Sequence, residues 1–144
     1  MFKKILACVD GSDRSVEAAR IAAELATVHK AALTLLHTFQ IPFLKEPFPG
    51  APTFALPLLE QYERDVKQAV IERSLPAIHA IGTDYDVIEE IGDPVEVIAR
   101  VADNRGYDLI VMGGRKIGVD KIAELGSVSH GVLCRAHCPV LVVR

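Results

Sequence analysis

Gly113, Gly114 and Gly118 precede a Gly126-Ser127 pair, and Arg115, Lys116 and Ser129 lie in the same stretch. Glycines let a backbone approach a ligand closely and adopt positive φ. If Gly126-Ser127 opens a helix, free N–H groups and the positive end of the helix dipole point into the same space. Ser127 and Ser129 add hydroxyls, and Arg115 and Lys116 add positive charge. Such a set suits a phosphate-bearing anion. Each part also has a plain structural reading, as a tight turn, solvated charges and a helix start. Asp10, in Asp10-Gly11-Ser12-Asp13, is the second candidate. A carboxylate repels phosphates at close range, so it would accept hydrogen bonds from a sugar hydroxyl or a base amine. The same residues also make a turn and a helix cap.

Other reactive side chains point less clearly to chemistry. His130, Cys134 and His137 fall on one helical face next to Cys138, a set that would suit zinc. Their spacing is not that of known zinc sites, and Cys138 before Pro139 also reads as a small apolar residue. No metal site is expected. Cys8 lies in an apolar run and reads as an inert core thiol. No Ser-His-Asp arrangement is evident, and no carboxylate pair is placed as acid and base. No catalytic residue is therefore assigned.

The elements that would position these residues follow from periodicity. Lys3 to Val9 is a short apolar run, read as a buried strand. Val16, Ala19, Ala23 and Ala26 recur at helical spacing and suit close packing on a sheet. Ala32 to Phe39 is the second strand. Ile41 to Pro57 is rich in proline and reads as a long loop, either a lid or a partner surface. A helix follows with Leu59, Tyr62, Val66, Ala69 and Val70 on one stripe, and Pro76 is expected to kink or end it. Tyr85 to Ile91 is the third strand. Asp93, Pro94 and Glu96 make a capping box at a helix start, and Gly106 stops that helix after Arg105. Asp108 to Met112 is the fourth strand, Gly113 to about Asp120 a loop, Ser127 to Ala136 a helix, and Val140 to Val143 the last strand.

This β-α alternation predicts one α/β domain over residues 1–144. It is a doubly wound, mostly parallel five-stranded sheet with helices on both faces, a flavodoxin/Rossmann-like three-layer sandwich. Ligands of such sheets bind beyond the C-terminal strand ends, where the winding direction reverses. If strands one and four are neighbours, Asp10 and Gly113 line one crevice.

Composition removes several classes of function. Half of the 144 residues are hydrophobic, enough for one core of Val, Ile, Leu and Ala. A net charge of −3 argues against nucleic acid as the main partner. No apolar run reaches the length of a membrane span, so no membrane partner is expected. Met1-Phe2-Lys3-Lys4 leads into an apolar run too short for a secretory signal, and the odd cysteine number fits reduced thiols. These features predict a cytoplasmic protein.

Ile5-Leu6-Ala7-Cys8-Val9-Asp10-Gly11-Ser12 resembles the opening strand and turn of universal stress proteins. Gly92-Asp93-Pro94, Asp108 to Gly113, Gly126-Ser127-Val128-Ser129 and the closing Cys138 to Arg144 also resemble that family, in the expected order over the whole chain. Its ATP-binding branch carries glycine, two residues, glycine, nine residues, then glycine with Ser or Thr. Gly113 fills the first position and Gly126-Ser127 the last, but Lys116 stands at the middle glycine.

The resemblance implies an adenine-nucleotide site for ATP or AMP. Asp10, flanked by Cys8 and Val9, would face adenine or ribose. Thr38, at the end of the second strand, would offer its backbone to the adenine edge. Met112 and Gly113 would border the ribose and phosphates. Gly126, Ser127 and Val128 would hold the phosphate chain, with Mg²⁺ as a companion ion. Lys116 could itself neutralise a phosphate, and slow ATP hydrolysis would be compatible with it without being the main function. The resemblance further implies a stress-response regulator with an unknown protein partner. It also implies a homodimer paired through Val140-Val143, where an uncovered edge strand would otherwise be exposed. The alternative is a nucleotide-free interaction module of the same family, with Lys116 marking a lost site. An adenylating enzyme on a similar sheet lacks support, because Asp10-Gly11-Ser12-Asp13 has no paired glycines. A phosphorylatable receiver domain would need clustered acidic residues where Ile91-Gly92 stand.

Overall fold

The computed structural model describes residues 1–39, 55–114 and 126–144, with the backbone alone at 55–59, 62 and 63. Five strands, β1 (Lys4–Cys8), β2 (Ala32–Phe39), β3 (Tyr85–Ile91), β4 (Leu109–Gly113) and β5 (Val140–Val143), form one sheet in the order β3-β2-β1-β4-β5. Every pairing is parallel. Cys8 aligns with Leu36 on one side and Met112 on the other, so β1 is central, and β2 runs on past its end to Phe39. The four described helices are α1 (Asp13–His29), α2 (Ala55–Ile81), α3 (Pro94–Arg105) and α4 (Ser127–Arg135).

Side chains alternate along a strand, so each strand feeds two cores. Ile5, Ala7, Leu33, Leu35 and Val111 pack with α1 and α2 on one face. Leu6, Leu36, Ile110 and Met112 pack with α3 and α4 on the other. Ala18, Ala19, Ala22, Ala23 and Ala26 give α1 a buried face without bulk, which lets its backbone lie close to the sheet. One polar pair sits inside. The Tyr107 hydroxyl donates to Thr34 Oγ1 at 2.9 Å, a buried bond worth about 1 kcal/mol.

Local chemistry sets the helix ends. Ser12 caps α1 by accepting from the Ser15 N–H, and Asp93 caps α3 by accepting from the Glu96 N–H at 3.1 Å. The expected capping box is half formed: the Glu96 carboxylate lies 3.6 Å from Arg135 on α4, and among the described residues no bond from the Asp93 N–H to it is present. Gly106 takes φ 65° and closes α3 after Arg105.

Several expectations are corrected. α2 begins at Ala55, so Ala55 to Pro57 are helical and not loop. Residues 40–54, the rest of the proline-rich segment, lie outside the described residues. Pro76 does not end α2, which runs on to Ile81. It sits on the exposed face of the helix, where a missing N–H costs least. Of the expected α2 stripe, Val70 packs against the core and Ala69 is exposed, and the buried residues are Ile71, Ser74 and Ile78. The side chains of Leu59 and Tyr62 are outside the described set. β4 takes in Gly113, and α4 stops at Arg135.

Candidate functional site

The order of the sheet reverses between β1 and β4, because the chain leaves β1 toward β2 and only later returns to the other side. The loops leaving β1 and β4 diverge there and open a crevice. A cavity of about 250 Å³ lies at this point. Cys8, Val9 and Asp10 line it from β1, and Leu36, His37 and Thr38 from β2. Met112 and Gly113 contribute from β4, Gly126 to Ser129 from the start of α4, Ser15 from α1, and Pro94 and Ile98 from α3. The expected residues Cys8, Val9, Asp10, Thr38, Met112, Gly113, Gly126, Ser127, Val128 and Ser129 therefore meet in one place. Arg115, Lys116 and Gly118 lie outside the described residues.

The Asp10 turn is built from hydrogen bonds between Asp10 and Ser15. The Ser12 N–H donates to Asp10 Oδ1 at 2.9 Å, and the Asp10 N–H donates to Ser15 Oγ at 3.2 Å. Ser15 Oγ donates to the Ser12 carbonyl at 2.9 Å, and the Ser15 N–H to Ser12 Oγ at 3.1 Å. Gly11 takes φ 81°, which a side chain would strain. The structural reading of Asp10-Gly11-Ser12, a turn and a helix cap, is what these bonds build. The carboxylate shapes the turn through one oxygen while the residue stands exposed at the mouth of the crevice.

The glycines act differently from expectation. Positive φ is absent at Gly113 and Gly114, and Gly126 has φ −57°. Gly113 is required by proximity. A Cβ there would lie 2.8 Å from the Arg14 carbonyl carbon and 2.9 Å from the Ser15 nitrogen. The missing side chain lets the first turn of α1 rest on the end of β4.

Gly126 caps α4 with no side-chain hydrogen bond, so among the described residues the first N–H groups of the helix have no internal acceptor at the crevice. Ser127 is exposed there. Ser129 is corrected as a hydroxyl donor to a ligand: it is 1% exposed and its Oγ donates to the Gly126 carbonyl at 3.0 Å.

Strand alternation explains Thr38. The Leu36 carbonyl accepts from the Val9 N–H at 2.9 Å, toward β1, and the Phe39 carbonyl accepts from the Gly92 N–H at 3.0 Å, toward β3. Backbone groups alternate sides along a parallel strand. Thr38 thus turns its N–H and C=O toward the β1 side, beyond the point where β1 has ended. A planar ring with adjacent donor and acceptor atoms would continue the sheet there.

His37 was not singled out from the sequence, although a histidine in an apolar strand beside Thr38 was a usable signal. It is 5% exposed, and Nδ1 is enclosed with no hydrogen-bond partner among the described residues. Burial pushes its imidazole down, against Glu89 and Asp10, which pull it up; Lys67 pushes it down. The unfolded chain therefore binds this proton more readily. Stability from the neutral ring is present above about pH 6.5 and is lost as pH falls below that value. Thermal unfolding between pH 8 and pH 5.5 should show a falling midpoint that flattens in His37→Gln. An equal fall in the variant would exclude His37 as its source.

Burial likewise raises the Cys8 thiol far above its usual range, the chemistry of an inert thiol. Cys134 Sγ lies 3.8 Å from His130 Nε2, and His137 Nδ1 lies 2.7 Å from Asp103 Oδ2. Among the described residues no group of three or more such side chains is arranged to hold a metal ion. No described helix is long and apolar enough to cross a membrane.

The sequence model of the universal stress protein family matches residues 1–144. A universal stress protein of Thermus aquaticus is 37% identical over 147 residues, covering all of both chains. The solved structure of universal stress protein UspA from Lactobacillus plantarum is similar at a TM-score of 0.78 and 26% identity, over 99% of this chain and 98% of that one. A universal stress protein solved in complex with cAMP is similar at a TM-score of 0.68 and 27% identity, over 99% and 97%. With the match spanning every element that builds the crevice, the chain belongs to the universal stress protein family.

Proposed function

We propose that the crevice binds an adenine nucleotide, ATP or AMP, and that the protein is a cytoplasmic stress-response regulator. It acts through its bound-state conformation and contacts with a protein partner, not through turnover. One observation carries the reading: three recognition elements converge on a single crevice. The uncapped start of α4 suits phosphates, the Asp10 carboxylate suits a sugar hydroxyl or base amine, and the Thr38 backbone suits a base edge. The related protein solved with cAMP supports the adenine class. Mg²⁺ bound to phosphates needs only one or two protein oxygens, and the exposed Ser127 hydroxyl fits that need. The free thiols Cys8, Cys134 and Cys138 suit a reducing compartment.

Thermal melting with Mg²⁺-ATP tests the reading. Ligand at 100 times its dissociation constant adds about 2.7 kcal/mol, which for this chain length is a rise of about 5–10 °C. No shift at millimolar ATP would leave the nucleotide-free module, with Lys116 in place of the motif glycine, as the function. The proposed homodimer pairs the free edge of β5 with its copy, covering Leu141, which is 38% exposed. A monomer in sedimentation at micromolar protein would overturn that pairing.

A further inference from the structure

The β1–α1 turn that carries Asp10 is held from outside the crevice. Arg73, on α2, reaches across to it with both arms of its guanidinium. Nη1 donates to the Gly11 carbonyl and Nη2 to Asp13 Oδ1. Val70, one helical turn earlier on α2, packs against the same residue, with Cγ2 3.3 Å from where a Gly11 Cβ would stand. Gly11 is the left-handed link between Asp10 and Ser12, and glycine is the residue that restrains its own backbone least. The turn's own hydrogen bonds run through Asp10, Ser12 and Ser15, and the Ser12 N–H bond to Asp10 Oδ1 holds the Gly11–Ser12 peptide on its N–H side, while none of these bonds engages the Gly11 carbonyl. Arg73 holds the carbonyl side of the same peptide, opposite the Asp10 bond, and Val70 packs at the Gly11 Cα.

We propose that Arg73 is a positioning residue for Asp10, so that the ligand affinity of the crevice is governed from α2. The inference deepens the adenine-nucleotide reading and rests on it for its ligand. Arg73 is not among the described residues that line the crevice, and it reaches the site through the turn. A surface ion pair contributes little to stability, and the Arg73 side chain is 53% exposed, so its loss leaves the fold intact. Lysine keeps the charge but lacks the planar fork, and cannot bond Gly11 and Asp13 in the same way.

Two measurements test this. In the ligand-free protein, hydrogen exchange at the Ser12 and Ser15 amides should quicken about tenfold in Arg73→Ala, while amides in β4 are unchanged. Unchanged exchange at the turn would overturn the clamp without reference to any ligand. Titration calorimetry with Mg²⁺-ATP should then show affinity falling about tenfold in Arg73→Ala and less in Arg73→Lys. In an Asp10→Ala background the Arg73→Ala change should cost nothing more, because its effect passes through the Asp10 carboxylate. Equal losses in both backgrounds would overturn Asp10 as the residue being positioned, and wild-type affinity in Arg73→Ala would overturn control from α2. No heat with the wild type would overturn the nucleotide reading and the affinity claim with it, with the exchange result still deciding the clamp.

Discussion

Gly113→Ala is expected to destabilise the protein by about 3 kcal/mol, the upper range for forcing a methyl group into a filled space. The melting midpoint should drop by about 6–12 °C at this chain length. The new Cβ would meet the Arg14 carbonyl carbon at 2.8 Å, Arg14 Cβ at 2.9 Å and the Ser15 nitrogen at 2.9 Å. Two of those atoms are backbone in the first turn of α1, so no side chain can rotate away. Either α1 or the end of β4 must shift. Ser15 also holds the Asp10 N–H, so the crevice should distort together with the fold. Two comparisons isolate the cause. Gly106 has positive φ and an open surround, so alanine there should cost about 1 kcal/mol from backbone strain alone. At Gly131 the nearest atom is Val95 Cγ2 at 2.7 Å, a side-chain methyl that can yield, and the loss should lie between the two. Differential scanning calorimetry of the three variants decides the order. A midpoint for Gly113→Ala within 2 °C of wild type would refute the close-packing role.

Ser127→Pro should separate ligand binding from stability. Ser127 is the first residue of α4, the helical position where proline is best tolerated. The preceding Gly126 has φ −57° and ψ 156°, an extended conformation that a following proline accepts. Stability should therefore change by no more than about 0.5 kcal/mol. The substitution nevertheless removes one N–H and one hydroxyl from the face proposed to hold phosphates. A hydrogen bond to a charged group is worth about 1.5–3 kcal/mol, so affinity for ATP should fall about 10- to 100-fold. Calorimetric titration on the folded variant reads this directly. Unchanged affinity would mean that the start of α4 does not hold the phosphates, whatever else occupies the crevice.

The order and kind of elements are legible in the residues because they rest on local rules. Ala32–Phe39, Tyr85–Ile91 and Val140–Val143 begin and end where their apolar patterns do. The start of α3 is written in Asp93-Pro94 and its end in Gly106, since caps and left-handed turns depend on a few adjacent atoms. Pro76 shows where a local rule yields: its helix is held by Ile71, Ser74 and Ile78 packed inward, and the proline sits on the wet face. His37 shows the reverse case. An imidazole in a strand has no fixed meaning until its surroundings are known, and its burial and the charges of Glu89, Lys67 and Asp10 come from separate elements.

By itself, then, the sequence determined the α/β alternation, the residues at the strand ends and the chemical types available to a ligand. These depend on periodicity and short-range hydrogen bonding. Only the tertiary structure decided that β1 lies beside β4, and so that Asp10, Thr38 and the start of α4 share one crevice. It also decided that Gly113 is small because α1 rests on it, and that Arg73 reaches back to Gly11. Those outcomes join residues far apart in the chain. A hydrophobic pattern records which face of an element is apolar, and it carries no record of which neighbour will cover that face.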